Sequence, residues 1–186
     1  MDGSHAQGAQ FTHLSTDKEF NLAGNLNVLS GATLNGSGAS IGHLTGSTGV
    51  ATVSGSSSQW SLSGGTVLSP FIKNGLLVGD AGHGTLNIEG GGLVKHDSDS
   101  VVTNKVGAQA GSEGFVTITG KDSHWDMAAD ATRQLGSLDI GTLGSGTVTV
   151  QSGGRLSSHS GTIGGSEASS MGLVTIAGEG SMLILQ

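Results

Sequence analysis

"GTLNIEGG", residues 84–91, alternates apolar and polar side chains over a short strip and closes with two glycines. Apolar residues at every second position are typical of a β-strand that buries one face. Glycine directly after such a strip indicates a corner, where the backbone takes a positive φ or another segment comes close. This stretch therefore predicts a short strand that ends in a turn.

The strip is repeated along the chain. Six copies occur: "LNVLSG" (26–31), "ATVSG" (51–55), "LNIEG" (86–90), "VTITG" (116–120), "VTVQS" (148–152) and "VTIAG" (174–178). Their closing positions, residues 30, 55, 90, 120, 152 and 178, lie 25 to 35 residues apart. Repeats of this length indicate a solenoid or an array.

The alternation within the copies predicts which side chains face the core. Two apolar columns are predicted to point inward: Leu26, Ala51, Leu86, Val116, Val148 and Val174, and beside them Val28, Val53, Ile88, Ile118, Val150 and Ile176. One column of small polar residues is predicted to point outward: Asn27, Thr52, Asn87, Thr117, Thr149 and Thr175. We call this outward column the polar ladder.

Two further sequence features show that the units alternate in length. "IG" or "VG" precedes five of the strips, at 41–42, 78–79, 106–107, 140–141 and 163–164. Longer units continue after the strip with "GSSSQWSL", "GKDSHWDM" and "GEGSMLIL", whereas shorter units continue with "SGATL", "GGGLV" and "SGGRL". Long and short units alternate, so the larger repeat is a pair of units of roughly 60 residues.

Each unit has room for about three short strands, and no apolar stripe of helical period is present. Glycine and β-branched residues disfavour helices, and a flat parallel sheet would need crossover helices that the sequence does not supply. We therefore predict an all-β fold, a right-handed parallel β-helix with about six rungs of roughly 25–35 residues, over residues 24–186. Residues 1–23 are predicted to be an N-terminal remnant or a cap segment. The apolar end "MLILQ" shows no cap, which predicts that the chain is a piece of a longer solenoid.

Composition disfavours several classes of partner. Seven Lys and Arg residues stand against 14 Asp and Glu, for a formal net charge of −7. The basic residues are also scattered, which disfavours nucleic acid as a partner. No apolar run approaches the ~20 residues of a membrane-spanning helix, so this segment is not expected to insert into a membrane. The chain has no cysteine, so backbone pairing and packing must hold the fold without disulfides.

The pattern "LLVGDAGHGTLNIEGGGLV" (76–94), continued by "VGAQAGSEGFVTITGKDSHWDM" (106–127) and "LDIGTLGSGTVTVQSGGRL" (138–156), resembles the repeats of bacterial autotransporter passenger domains. The resemblance is best over residues 74–186 and looser over 24–73. It implies type V secretion, exposure at the bacterial cell surface outside the outer membrane, and a role in adhesion, aggregation, biofilm formation or virulence. It implies no single activity, because such passengers include adhesins, aggregation factors and enzymes.

Reactive side chains are densest in "DSHWD", where Asp122, Ser123, His124 and Asp126 lie close together in sequence. A nucleophile needs a base within hydrogen-bond reach and a third group that orients the base. Neighbours along a strand alternate between its faces, so these side chains are not expected to converge. The matching stretch "SSQWS" at 57–61 has neither His nor Asp. We therefore predict no catalytic residue.

Metal ligands are also not expected. Asp97 and Asp99 in "HDSDS" would share one face of an extended segment, as the carboxylates of a Ca²⁺ site do. The repeats lack a G-G-x-G-x-D signature, however, and a solvated corner loop is favoured. The seven histidines show no ligand spacing: His5, His13, His43, His83, His96, His124 and His159. The sequence thus predicts no metal site and no cofactor.

Two features have both a structural and a functional interpretation. Trp60 and Trp125 would be carbohydrate-stacking platforms if exposed, but the repeat position that they share with Leu183 favours the core. The polar ladder is explained by solvation alone, and it would also match a ladder on a second molecule.

We predict a non-enzymatic module, a rigid stalk or adhesive rod whose partner is a second copy or a glycan or protein of a host surface. Weak contacts along a repetitive face add up through multivalency. One alternative is a β-helix carbohydrate-active enzyme or a phage tailspike-like domain, disfavoured by the dispersed acidic residues. An ice-binding face is disfavoured because only "TIT" (117–119) and "TVT" (147–149) supply a Thr-x-Thr pattern. A purely structural spacer stays open.

Overall fold

The chain folds into three sheets of mostly parallel strands. A computed structural model describes residues 13–15, 19–64, 67–69, 72–96, 101–127, 136–165 and 167–185. Within these residues every regular element is a β-strand, and no helix long and apolar enough to cross a membrane is found. The predicted all-β class is confirmed.

The three sheets are visited in turn along the chain. Sheet 1 contains the six strips: β3 (Asn25–Leu29), β6 (Thr48–Ser54), β10 (His83–Glu89), β13 (Glu113–Thr119), β16 (Ser145–Gln151) and β19 (Met171–Ala177). Sheet 2 contains β1 (His13–Ser15), β4 (Thr33–Gly36), β7 (Gln59–Leu62), β11 (Leu93–His96), β14 (His124–Asp126), β17 (Arg155–Ser158) and β20 (Met182–Leu185). Sheet 3 contains β2 (Phe20–Leu22), β5 (Ala39–Ile41), β9 (Ile72–Val78), β12 (Val101–Val106), β15 (Gly136–Ile140) and β18 (Ser160–Ile163), with β8 (Val67–Ser69) antiparallel to β9.

Each strand pairs in parallel with the strand one unit earlier, which makes the fold a parallel β-helix of about six rungs. Paired residues of sheet 1 lie 25 positions apart between β3 and β6 and 35 apart between β6 and β10, so the predicted rung length is confirmed. β1 and β2 fall within residues 1–23 and pair with β4 and β5.

The two predicted inward columns line the core. Leu86 and Ile88 are fully buried, and the equivalent residues of the other strips are buried in β3, β6, β13 and β16. In β19 the inward positions are less covered: Val174 is partly buried and Ile176 is 46% exposed. Ile176 keeps its register beside Val150, but β19 is the last strand of sheet 1 in this chain, so no further strip covers it.

The turn from sheet 1 to sheet 2 alternates between two forms, and the longer form belongs to the long units. In short turns two consecutive residues have positive φ, such as Gly90 at 59° and Gly91 at 87°. In long turns the two residues of positive φ are separated by one other residue, as Gly120 at 92° and Asp122 at 68° are. After a long turn, the first large buried side chain of sheet 2 therefore follows the end of the strip by one residue more than after a short turn.

A serine in each long turn bonds to the short turn of the preceding rung. The Ser123 hydroxyl donates to the carbonyl of Thr119 at 2.7 Å and accepts from the N–H of Gly91 at 3.0 Å. The same two bonds join Ser58 to Ser54 and Gly31, and Ser181 to Ala177 and Gly153. Because each serine ties a long unit to the short unit before it, the pair of units is the structural repeat.

Glycines form the corner between sheet 3 and sheet 1. Gly79 has a φ of 69°, and a Cβ at this position would collide with the carbonyl of Glu113 in the next rung. The same conformation recurs at Gly42, Gly107 and Gly141. Only glycine permits both the positive φ and the close approach of the neighbouring backbone. The prediction that glycines mark the corners is confirmed.

Both tryptophans fill the core, as their repeat position predicted. Trp60 and Trp125 are fully buried. The ring of Phe20 packs edge-on against Trp60, with ring centroids 6.5 Å apart and planes at 87°. Neither indole N–H has a hydrogen-bond acceptor within the described part of the chain. A carbohydrate-stacking role for either side chain is therefore ruled out by burial.

Sheet 3 contains a bulge in β9. Asn74 pairs with Thr103 and Leu77 pairs with Lys105, so two residues of β9 face one of β12. The single residue of β12, Asn104, is fully buried. Its side-chain oxygen accepts from the N–H of Leu76 at 2.8 Å, and its amide donates to a carbonyl of β15 at 3.2 Å. Asn104 thus bonds to the backbone of both neighbouring strands and supplies an acceptor for an N–H within the bulge.

Candidate functional site: the outer face of sheet 1

The polar ladder runs across all six strands of sheet 1. Neighbouring ladder residues are direct partners in the strand register, as Asn87 is with both Thr52 and Thr117. Thr117 pairs in turn with Thr149, and Thr149 with Thr175. All six side chains are exposed or half-buried. The predicted ladder is therefore a continuous row of hydroxyl and amide groups that can donate and accept hydrogen bonds.

A second column, which we call the apolar column, lies beside the ladder on the same face, two residues earlier in each strand, and its apolar members occur in every second strand. Phe115 is 43% exposed and Leu173 is 53% exposed, and the half-buried Val50 belongs to the same column. Thr85 and Thr147 stand between them in the register. Our sequence analysis missed this column, because its apolar members occupy outward positions of an otherwise polar face. The signal was present in the letters before the strips: Val50, Phe115 and Leu173 each precede the first inward residue.

The outer face of sheet 1 carries little charge. Among its described strands, Glu89 and Glu113 are the acidic residues that point outward, and no Lys or Arg does so. His83 Nδ1 lies 3.1 Å from Glu113 Oε2, which links β10 to β13 at the edge of this face. Two copies of such a face can approach without strong charge repulsion. Exposed aromatic and aliphatic side chains flanked by hydrogen-bonding groups are also typical of the centre and rim of protein interfaces.

The "DSHWD" cluster does not assemble around its own serine. Ser123 is buried and bonded within its turn, whereas His124 and Asp126 lie on the outer side of β14. The imidazole meets a different hydroxyl: His124 Nε2 lies 2.7 Å from Ser157 Oγ in the next rung. Sequence reasoning missed this contact, because it depends on the lateral register of β14 with β17 and not on spacing within one unit.

The surroundings of the His124 imidazole favour its neutral form. Burial lowers the pKa of His124 below 6.5, Asp126 opposes this shift, and the neighbouring Arg155 adds to it. A neutral imidazole beside a hydroxyl is the arrangement of a general base and a nucleophile. Ser157 is only 3% exposed, however, and its hydroxyl is enclosed beside the ring. An electrophilic carbon has no approach to that oxygen, so the pair acts as a link between two rungs.

The remaining candidate residues do not converge. Asp97 and Asp99 lie outside the described residues. His43 contacts Asp80, His83 contacts Glu113 and His96 is buried in the wall of sheet 2. No group of three or more His, Cys, Asp or Glu side chains close enough to hold a metal ion is found within the part of the chain that the structure describes.

Comparison of the chain with models of protein families, with curated proteins and with solved structures gives no match. The likeness to autotransporter passengers therefore rests on the repeat pattern of the sequence. The candidate site rests on the geometry of the outer face of sheet 1.

Proposed function

We propose that this chain is a non-enzymatic segment of a secreted, cell-surface autotransporter passenger, and that it associates side by side with a second copy through the outer face of sheet 1. Association of this kind would serve adhesion, aggregation or biofilm formation. The observation that carries the proposal is the in-register polar ladder with exposed Phe115 and Leu173 beside it. A purely structural spacer has no need for exposed aromatic and aliphatic side chains on a polar wall.

The physical basis is a flat, repetitive and weakly charged surface. Each rung offers one ladder residue at the regular strand spacing of about 4.8 Å, and every second rung adds an apolar residue of the neighbouring column. Two identical ladders facing each other can donate and accept at every rung, because hydroxyl and amide groups do both. Burial of Phe115 and Leu173 at such a contact adds apolar area at about 25 cal/mol per Å². Contacts that are weak per rung then add up along the rod.

Sedimentation velocity over a wide concentration range tests the proposal. The test variant changes four ladder residues to lysine: Thr52, Asn87, Thr117 and Thr149. The control variant places four lysines at half-buried outward positions of sheets 2 and 3: Asn35, Gln59, Thr103 and Ser137. Both variants add the same charge, so they separate a specific face from general repulsion.

We expect reversible association of the wild type and the control variant, and a monomer for the ladder variant. Phe115→Ser is expected to weaken association by itself, because an exposed aromatic residue near the centre of a contact often contributes a large share of its binding free energy. Equal association of all the proteins would place the contact elsewhere, for example at the ends of the solenoid. A monomeric wild type would refute self-association and leave a host glycan or protein as the partner to be screened.

A further inference from the structure

A polar cleft lies where the outer face of sheet 3 meets the corner that leads to sheet 1. Its volume is about 270 Å³, and residues of four successive units contribute to its wall. Asp80 lies at the base of this cleft and is 7% exposed. A carboxylate so deeply buried is unusual and needs specific partners.

Three donors from other rungs converge on the Asp80 carboxylate. Ser40 Oγ donates to Oδ2 at 2.9 Å, and His43 Nδ1 lies 3.3 Å from the same oxygen. Gln109 Nε2 donates to Oδ1 at 2.8 Å. A carboxylate has about four lone-pair sites, so these three contacts leave capacity for about one more donor. The same contacts hold the side chains in one arrangement before any ligand arrives.

The floor of the cleft is apolar and is shaped by the bulge in β9. Leu77 lines it and is 9% exposed, whereas Ala39, 4% exposed, touches the cleft but belongs to the core cluster. The extra residue in β9 falls between Asn74, which lines the cleft, and Leu77. Bulges are common beside binding sites because they change the direction in which a side chain of the strand points. The rim is polar and includes Asn21 of β2.

The chemistry of the cleft selects a neutral, hydroxylated ligand. Asp80 and the rim residue Glu19 are both acidic, which disfavours an anion. A metal ion is disfavoured because Asp80 already accepts from three donors and no third acidic or histidine ligand stands beside it in the described chain. A sugar ring matches both parts of the cleft, since its hydroxyls donate and accept while its C–H face packs on Leu77. The volume falls just below the ~300–1,000 Å³ of sites for drug-sized ligands, which fits a single ring.

We infer that this cleft binds one neutral hexose unit, with Asp80 accepting from a sugar hydroxyl and Leu77 supporting the ring. The site lies on sheet 3, so this binding is independent of association through the polar ladder. It gives the rod a glycan-binding activity in addition to the proposed function.

Saturation-transfer NMR with the wild-type chain tests the inference. The probes are methyl glycosides of glucose, galactose and mannose, with sialic acid as an anionic probe and glucosamine as a cationic one. A neutral trisaccharide provides a further arm, because a cleft for one ring should bind it no more tightly than the methyl glycoside. We expect magnetisation transfer to at least one neutral hexoside at millimolar concentration and none to sialic acid.

Variants locate the binding. Asp80→Asn should weaken hexoside binding about tenfold or more, as expected for loss of a hydrogen bond to a charged group. Asn21→Arg, which fills the cleft from its rim, should also abolish transfer. Glu113→Gln is the matched control, because it alters the other His–carboxylate pair, which lies outside the cleft. Far-UV circular dichroism checks that each variant is folded.

Three results would overturn the inference: no transfer to any neutral hexoside, transfer that survives both Asp80→Asn and Asn21→Arg, or preferential binding of glucosamine or sialic acid. The lysine variant of the polar ladder should keep hexoside binding. A chain that binds the sugar without associating would refute the proposed function alone, and a chain that associates without binding the sugar would refute this inference alone.

Discussion

Gly107→Ala tests how strongly the glycine corners determine the fold, with Gly111→Ala as its control. Gly107 has a φ of 74° and Gly111 a φ of 78°, so alanine meets nearly the same backbone penalty at both positions. Their surroundings differ. A Cβ on Gly107 would collide with the carbonyl of Ser145 and lie 2.9 Å from the nitrogen of Gly146. A Cβ on Gly111 meets no atom of the described chain within 4 Å.

The shared penalty is small. A left-handed backbone costs an L-residue about 1–2 kcal/mol, and about 0.4–1 kcal/mol of this is offset because alanine restricts the unfolded chain. Gly111→Ala should therefore lose about 1 kcal/mol of unfolding free energy. Gly107→Ala adds about 1–3 kcal/mol for crowding against backbone that cannot move aside.

The corner also contains hydrogen bonds that crowding would disturb. Gly107 N–H donates to the carbonyl of Val78 at 2.8 Å, and Gly141 N–H donates to the carbonyl of Val106 at 2.7 Å. Each such bond contributes about 0.5–1.5 kcal/mol net. The total expected loss for Gly107→Ala is about 3–7 kcal/mol, well above that of the control.

Urea unfolding followed by far-UV circular dichroism measures both values. The two residues lie in the same connection between β12 and β13, so local unfolding of one rung affects both variants alike. The midpoint for Gly107→Ala should fall far below that for Gly111→Ala. Equal midpoints would show that the positive φ alone explains these glycines, and the argument from close approach of the rungs would be refuted.

Three further substitutions probe single contacts. Ser123→Ala should lower the unfolding free energy by about 1–3 kcal/mol, because two hydrogen bonds of the hydroxyl, each contributing about 0.5–1.5 kcal/mol, are lost; urea unfolding would show it, and an unchanged midpoint would contradict a role for the serine. Asn104→Ala should cost at least as much, because it deprives the N–H of Leu76 of its acceptor and leaves a cavity; a loss below that of Ser123→Ala would argue against the bulge contact. The lowered pKa of His124 means that the folded state favours the neutral ring. The stability gained from this preference is therefore present above about pH 6.5 and is lost as the pH falls through the folded pKa. The wild type should therefore lose stability relative to His124→Gln between about pH 7 and pH 5, and a constant difference across that range would exclude this linkage.

Much of the fold could be predicted from the sequence because alternation reports which face of a strand is buried. Within a single strip, Leu86 and Ile88 identify the face that points inward. Because the strip is repeated, equivalent residues of successive strips can be aligned, which predicts the register between neighbouring strands. The corner glycines were also predictable, since positive φ and close approach both restrict the residue type. The burial of Trp125 followed from its position relative to the strip.

Contacts between rungs could not be predicted in the same way. The bond from Ser123 to Gly91 depends on how a long turn overlies a short one, and the spacing within either unit does not report that offset. The contact of His124 with Ser157 and the convergence on Asp80 depend likewise on lateral stacking. The exposure of Phe115 was not predicted for another reason. An apolar residue at one outward position does not alter the alternation that identifies the strand.

The central claim is that two copies meet face to face through the outer face of sheet 1. The chain has no cysteine, so a single introduced thiol reports on one surface alone. Thr117→Cys places the thiol on the polar ladder, and Thr103→Cys places it at a half-buried outward position of sheet 3. The measurement is the yield of covalent dimer with a short bismaleimide linker as the protein concentration rises. We predict that Thr117→Cys is linked efficiently and that Thr103→Cys is not. Equal yields from the two variants, or none from Thr117→Cys, would contradict lateral association through this face.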